Sequence, residues 1–413
     1  MSQQTDEYLK SVTEGIQSLN TAAEACHSTL SSQRDDSLES CSASQAARDR
    51  LVLEAYKVLQ LVQGPIDAAA TCYERTAHLA SVRSLLEMGA FDALPTGGAS
   101  RTTQELAKEL DVDESLLARL MRNSALYGPF EEVGPDCYRH TAFSEVYLKP
   151  EVQGMFRFAM DDHMPAHLKA HEFLKANGWR TPSSTTDNPY THAHATGGKS
   201  MFQHLSQLPE RMEAFNNGMM LQAITPLWMI DLFPFAQRLA TMNPDPSTVL
   251  AVDIGGGKGR AICRIRSMCG TLPGRYILQD QPHVVASAKG TLDAEIETMP
   301  YDFFTEQPVQ GALTYLIRRC LHNWPQHSVV QILKNIAGVM DSERSRLLIE
   351  EIIVPDENSG IEEGWMDMIM MSIGAQQRTM KEWVTVLDSA GLKLSHVYRL
   401  PGNCHALIEA QLK

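Results

Sequence analysis

The stretch Thr248–Arg260, TVLAVDIGGGKGR, constrains the fold of this chain more than any other. Val249, Leu250, Ala251, Val252 and Ile254 form a nearly unbroken apolar run, which predicts a strand buried on both faces. Gly255, Gly256, Gly257 and Gly259 follow, and then AICRIRSM carries apolar residues at helical spacing. A strand, a glycine turn and a helix make a cradle in which backbone approaches a ligand that a Cβ would push away. The glycine spacing is not that of a dinucleotide site. Asp253 lies two residues before Gly255, where its carboxylate can reach a cationic or hydroxylated ligand. Asp280 ends the next apolar run, 25 residues after Gly255, a place that suits the two hydroxyls of a ribose. A glycine turn alone is equally an ordinary loop between strand and helix. The two acids favour an adenosyl ligand without a pyrophosphate.

Strands and helices go on alternating after Asp280. LTYLI (313–317) and RLLIEEIIVP (346–355) read as strands, and LHNWPQHSVVQILKNIAGVM opens a helix between them. KEWVTVLDSAG reads as a helix, and LSHVYRL and CHALIEAQL close the chain as two strands. Residues 246–413 are therefore expected to form an α/β, Rossmann-like, doubly wound domain that binds its ligands at the strand carboxyl ends. Arg318, His322 and Glu351 all fall near such ends. A histidine oriented by a carboxylate is a candidate general base.

The preceding residues are helical in pattern. Leu9, Val12, Ile16, Leu19, Ala23, Cys26 and Leu30 recur every three or four residues, the seam of a helix that packs on another helix. That seam serves a partner chain or the protein's own domain equally well. Residues 31–48, rich in Ser and Asp, read as a flexible link, so 1–48 is expected as a terminal helix and linker. Residues 49–150 read as helices broken at Gly64-Pro65, then helix, turn, helix and a small hairpin. That winged-helix pattern often binds DNA, but here Arg119 and Arg122 are surrounded by Asp111, Asp113, Glu114, Glu131 and Glu132. A scaffold or dimerisation role fits better. Residues 151–245 read as a helical connecting region rich in Met, His and aromatic residues. His163, His167 and His171 lie four apart on one helical face, but no carboxylate motif accompanies them, and no metal is expected. His163, His167, Met219, Met368 and Met371 are expected to line an apolar substrate pocket.

Composition narrows the function classes. The net charge of -14 over 413 residues argues against a nucleic-acid backbone or an anionic membrane as partner. No run is long and apolar enough for a transmembrane helix, and MSQQTDEYLK lacks the pattern of a signal peptide. Eight cysteines without a CxxC pair read as free thiols, and a cytoplasmic location is expected.

VDIGGGKG, DQPHV at 280–284, DFF at 302–304, RRCLHNW at 318–324, EIIVP at 351–355 and QRTMKEW at 377–383 together resemble plant- and fungal-type S-adenosylmethionine-dependent O-methyltransferases. The resemblance covers residues 50–413 and implies a class I methyltransferase domain behind a winged-helix dimerisation domain. It implies that Asp253, Gly255 and Gly257 line S-adenosylmethionine, that Asp280 holds its ribose, and that Asp302 and Phe303 meet its adenine. Arg318 would stand near its methionine end, His322 would deprotonate a substrate hydroxyl, and Glu351 would be one of two acids that orient the histidine.

The second acid is missing. Where the family has an ERT motif, this chain has Gln377 before Arg378 and Thr379, and Asn323 replaces the commoner aspartate after the histidine. A glutamine still hydrogen-bonds an imidazole but lends no charge, a loss of about 1–2 kcal/mol in base strength. The fungal branch also includes pericyclases that keep the cofactor's methyl group and use its sulfonium as a fixed charge. Methyl transfer to a hydroxyl of a polyketide-like or aromatic small molecule is the favoured reading, because His322 and Glu351 are intact. A pericyclase that retains S-adenosylmethionine stands second, and a non-catalytic binding scaffold third. S-adenosylhomocysteine would be the product of the first, and a homodimer the expected assembly.

Overall fold

Two long helices open the chain, Ser2–Ser32 and Leu38–Glu87. They belong to a computed structural model that describes residues 2–33, 38–222, 228–288, 290 and 292–413. The chain divides into two units: residues 1–25, 50–168 and 201–226 form the first, and 26–49, 169–200 and 227–413 the second. The stretch 151–245, read above as one connecting region, is thus shared between them. No helix among the described residues is long and apolar enough to cross a membrane.

In the first unit the opening helices run antiparallel. Tyr8 donates to the Val62 carbonyl at 3.4 Å, and Ser18 to Glu54 at 2.9 Å. Gly15 lies against Leu61 and Val58. Leu9 and Ile16 nevertheless stay exposed, as do Val52, Tyr56, Leu59, Val62 and Ile66 on the facing helix. The second helix breaks where the sequence places a break: Gly64 takes φ 75°, ψ 167° ahead of Pro65.

The winged helix follows. Thr102 and Glu105 cap the helix Thr103–Leu110 reciprocally, and Asp113 caps Glu114–Ala125. Strands β1 (Ser100–Thr102), β2 (Phe130–Gly134) and β3 (Cys137–His140) pair in the order β1-β3-β2. Leu85, Phe91, Leu106, Leu117, Met121, Phe130 and Tyr138 form its core. Three of its arginines pair with nearby acids, Arg101 with Glu109, Arg122 with Asp136 and Arg139 with Glu131. Beyond it the chain widens into a π-turn, Ala159–His163. Arg83 grips Asp161 through two bonds of 3.0 and 2.8 Å, and Arg211 pairs with the buried Asp162 at 2.7 Å.

The second unit is built on one mixed sheet. Its strands are β4 (Val249–Ile254), β5 (Arg275–Asp280), β6 (Ile296–Pro300), β7 (Thr314–Arg318), β8 (Arg346–Val354), β9 (Arg378–Thr379), β10 (Leu392–Arg399) and β11 (His405–Leu412). They lie in the order β10-β11-β8-β7-β4-β5-β6, with β9 beside the end of β8. β4 to β8 run parallel, and β10 and β11 add an antiparallel hairpin. Val252, Ile254, Tyr315, Ile317, Leu347 and Ile349 pack on one face, and Leu250, Ala251, Leu316 and Leu348 on the other. Burial on both faces explains the unbroken apolar runs. The strand order reverses at β4, whose carboxyl end is the switch point where such sheets bind ligands.

The expected link at 31–48 is a correction. Residues from Leu38 onward are helical, while 34–37 lie outside the described residues. Tertiary contacts outweigh the local preference of serine here: Ser42 and Ser44 are buried, and the Ser42 hydroxyl accepts from Asn403 at 3.3 Å.

In the first unit the helices Pro150–Phe158 and Pro209–Gln222 cross at glycines. A Cβ on Gly154 would lie 2.5 Å from Asn217 Cβ and 2.7 Å from the Ala214 carbonyl, and one on Gly218 would lie 2.9 Å from Met155 Cα. Gly154→Ala should therefore destabilise the protein by ~1–3 kcal/mol through overpacking. Differential scanning fluorimetry should show a lowered Tm, and an unchanged Tm would mean that the two helices separate without loss.

Candidate active site

Glycine shapes the switch point. Gly255 takes φ 69°, and a Cβ there would meet the Cys320 sulfur at 2.7 Å. Gly257 takes φ 58°, and a Cβ there would meet nothing within 4 Å, so the turn opens onto free space. Asp280, at the end of β5, accepts the Gly257 N–H at 2.8 Å and the Gln281 N–H at 2.7 Å, one on each oxygen. Each oxygen keeps a second lone pair for a ligand hydroxyl.

Asp253 sits deeper than its sequence position implies. Its carboxylate is fully buried, and neither oxygen has a hydrogen-bond partner among the described residues. Burial pushes its pKa from 3.8 up to about 7, against the pull of Arg318 and with help from Asp280. Phe303, after β6, comes within 3.9 Å of the Gly255 Cβ position and meets Trp324 edge-on. Asp302 is exposed and caps its own turn by accepting the Phe304 N–H at 3.0 Å.

Adjacent side chains of a strand point to opposite faces, and β8 uses this to aim two glutamates at different targets. Glu350 pairs with Arg318 Nε at 2.8 Å and accepts the Ile230 N–H at 3.3 Å. Trp228 lies over the same guanidinium, 4.1 Å from its carbon to the ring centre. Glu351 faces the short turn Leu321–Asn323. One of its oxygens accepts the N–H groups of Cys320, Leu321 and His322 at 3.0, 2.8 and 3.3 Å. The other stands 2.7 Å from His322 Nδ1. Burial would raise the Glu351 pKa, but the His322 contact, the backbone bonds and Arg319 outweigh it and hold the group below its usual value.

Gln377 places its amide nitrogen 3.4 Å from the same Nδ1, and its own N–H reaches Asp367 at 2.9 Å. The acid is the closer partner, at a distance where a protonated imidazole forms an ion pair with it. Arg378, fully buried, donates to the Leu321 carbonyl at 3.2 Å and the Trp324 carbonyl at 2.8 Å, and its guanidinium rests on Trp383. Burial lowers its pKa to about 10.

The second unit thus brings Asp253, Gly255, Gly257, Asp280, Phe303, Arg318, His322, Glu351 and Gln377 to the strand carboxyl ends. Met368 and Met371 ride on the helix Ile361–Ser372 that holds Gln377 through Asp367. His163, His167 and Met219 belong to the first unit: His163 is buried edge-on against Phe158 and 6.2 Å from the ring of His167. Sequence reasoning passed over Glu350, Trp228, Asp367 and Arg378. The doubled acid in IEEII and the place of Arg378 in QRTMKEW were the visible signals.

Residues 181–393 match the O-methyltransferase domain and residues 53–150 the O-methyltransferase dimerisation domain. The O-methyltransferase kntB of Aspergillus niger is 70% identical over 100% of this chain and 99% of its own length. The crystal structure of OxaC with SAH and oxaline superposes with TM-score 0.87 at 35% identity, over 98% of this chain and 100% of that one. A pericyclic reaction enzyme superposes with TM-score 0.81 at 28% identity, over 90% of this chain and 94% of that one. The chain is a member of the O-methyltransferase family.

Asp253 supplies a test that needs no substrate. An acid with pKa 3.8 unfolded and about 7 folded binds a proton on folding between those values, so stability falls as pH rises through that window. Asp253→Asn removes this loss. Ligand-free melts should show a higher Tm for the variant at about pH 8 and nearly equal values near pH 4. Parallel Tm curves for the two proteins across that range would mean that Asp253 is ionised throughout.

Proposed function

We propose that this protein moves the methyl group of S-adenosylmethionine to a hydroxyl of a polyketide-like or aromatic small molecule, with His322 as general base. The observation that carries the reading is the buried Glu351–His322 contact of 2.7 Å, which would stabilise the imidazolium formed when His322 takes a proton. The site fits the cofactor on two counts. Asp253 is a buried carboxylate without a partner among the described residues, and the glycine turn is open at Gly257. Asp280 would accept from the ribose hydroxyls, Asp302 and Phe303 would border the adenine, and Arg318 would face the methionine end. The bound cofactor supplies a methyl group on a sulfonium, an electrophile toward oxygen.

The chain's own residues do the rest. His322 Nε2 removes the hydroxyl proton as the oxygen attacks, and Glu351 stabilises the resulting imidazolium. Gln377 adds a dipole without a charge. Met368 and Met371 would give the substrate an apolar wall. The exposed apolar residues of the opening helices, together with the dimerisation domain, support a homodimer. The acidic net charge and free thiols support a cytoplasmic enzyme that works on neither nucleic acid nor membrane.

His322→Ala should slow methylation roughly 10²–10⁴-fold and leave S-adenosylhomocysteine affinity, read by calorimetry, almost unchanged. Gln377→Glu should hold or raise the rate. Gln377 and the pericyclic neighbour keep a second reading open, and mass spectrometry separates the two. One S-adenosylhomocysteine released per product supports methyl transfer, whereas full turnover with the methyl retained on the cofactor overturns it.

Assembly is tested independently. Leu59→Glu combined with Val62→Glu places two charges on the exposed apolar face and should convert a dimer into a monomer in light scattering. A dimer that persists would move the contact elsewhere.

A further inference from the structure

A second cluster of reactive side chains lies in the second unit, outside the groups assigned above. Cys404 and His405 stand at the start of β11, and Glu362 in the first turn of the helix Ile361–Ser372. Glu362 Oε1 is 3.2 Å from His405 Nε2, and Glu362 Oε2 is 3.7 Å from Cys404 Sγ. The three ligand atoms all lie within 4.8 Å of one another, and each residue is partly buried. Ideal tetrahedral zinc, with bonds of about 2.0 Å to oxygen and nitrogen and 2.3 Å to sulfur, has O···N and O···S edges of roughly 3.3 and 3.5 Å. The observed separations of 3.2 and 3.7 Å are close to those edges but run to the two different oxygens of Glu362, so a single ion would be met by both oxygens or by one after a small turn of the carboxylate.

The backbone is arranged to hold this geometry. Neighbouring side chains within a strand diverge, but Cys404 lies just ahead of β11, so it and His405 can turn to the same carboxylate. Asn403 Oδ1 accepts the His405 N–H at 2.8 Å, Arg399 holds the Asn403 carbonyl at 2.8 Å, and Ile353 donates to the Cys404 carbonyl at 2.9 Å. The site is therefore anchored to β8 and β10 before any ion arrives.

We propose that Glu362, Cys404 and His405 form a binding site for one thiophilic divalent cation of the zinc class, with solvent in the fourth position. Binding replaces the thiol S–H bond by a sulfur–metal bond and releases that proton to water. No electron is transferred. The ion would tie the first turn of the Ile361–Ser372 helix to β11. That helix also carries Asp367, which holds Gln377, so occupancy would stiffen one support of the His322 site. The site is independent of which reaction the enzyme performs.

Cobalt(II) titration of the full-length, phosphine-reduced protein tests this. The expected result is a single equivalent bound, with visible bands of a four-coordinate ion and a near-ultraviolet thiolate-to-cobalt band, all bleached by Zn²⁺. Cys404→Ser should abolish the thiolate band, and His405→Ala and Glu362→Gln should each weaken binding by at least about tenfold. Circular dichroism and S-adenosylhomocysteine binding establish that each variant is folded, and if Cys404→Ser does not fold, His405→Asn takes its place. A thiolate band that survives Cys404→Ser would place the ion on another cysteine and overturn the assignment. So would the absence of any thiolate band in the wild-type protein.

Discussion

The carboxylate of Glu351 is the contact on which the candidate active site depends. It collects three N–H groups from the turn that carries His322 and reaches the imidazole with its other oxygen. Arg378 takes carbonyls from the same turn on the other side. A short loop between strand and helix would ordinarily leave these groups to water. Here an acid holds the donors and a guanidinium holds the acceptors, so the histidine sits on a loop with the fixity of a secondary-structure element. Buried charges are costly to hold unless they are bonded, and these two are bonded to a shared stretch of backbone rather than to each other.

The glycine turn solves a different problem. Position 255 must pass close to Cys320, and position 257 borders open space. Asp280 secures the turn from the neighbouring strand through the Gly257 N–H. Asp253 is left without a partner in the same place. A buried acid without bonds lowers stability, which is what sets Asp253 apart from the other acids of this turn.

Much of this was legible in the sequence, because the signals are local. The buried run of β4, the glycines behind it and the acid at the end of β5 are all set by strand periodicity and by the steric demands of a tight turn. The winged helix was legible from its order of helix, turn, helix and hairpin, and the structure adds its caps, Thr102 with Glu105 and Asp113. What escaped notice is non-local. Ser42 and Ser44 look like linker residues until Asn403 binds one of them. Arg378 reads as part of a motif, yet it acts on carbonyls 54 and 57 residues away. Glu362 lies 42 and 43 residues from Cys404 and His405, so no spacing rule could group them.

One consequence of β8 concerns heredity more than chemistry. Its two consecutive glutamates serve different clients: Glu350 answers to Arg318, and Glu351 to His322. Their assignment is fixed by register: Glu350 lies opposite Arg318 of β7, and Glu351, one residue on, faces the other side of the sheet. A slip of one residue would exchange the faces of both. A residue inserted or deleted ahead of the pair in this strand would therefore disturb the Arg318 and His322 contacts in one event. The Arg318 contact and the His322 contact thus hang on one strand register, and a slip there cannot alter one without the other.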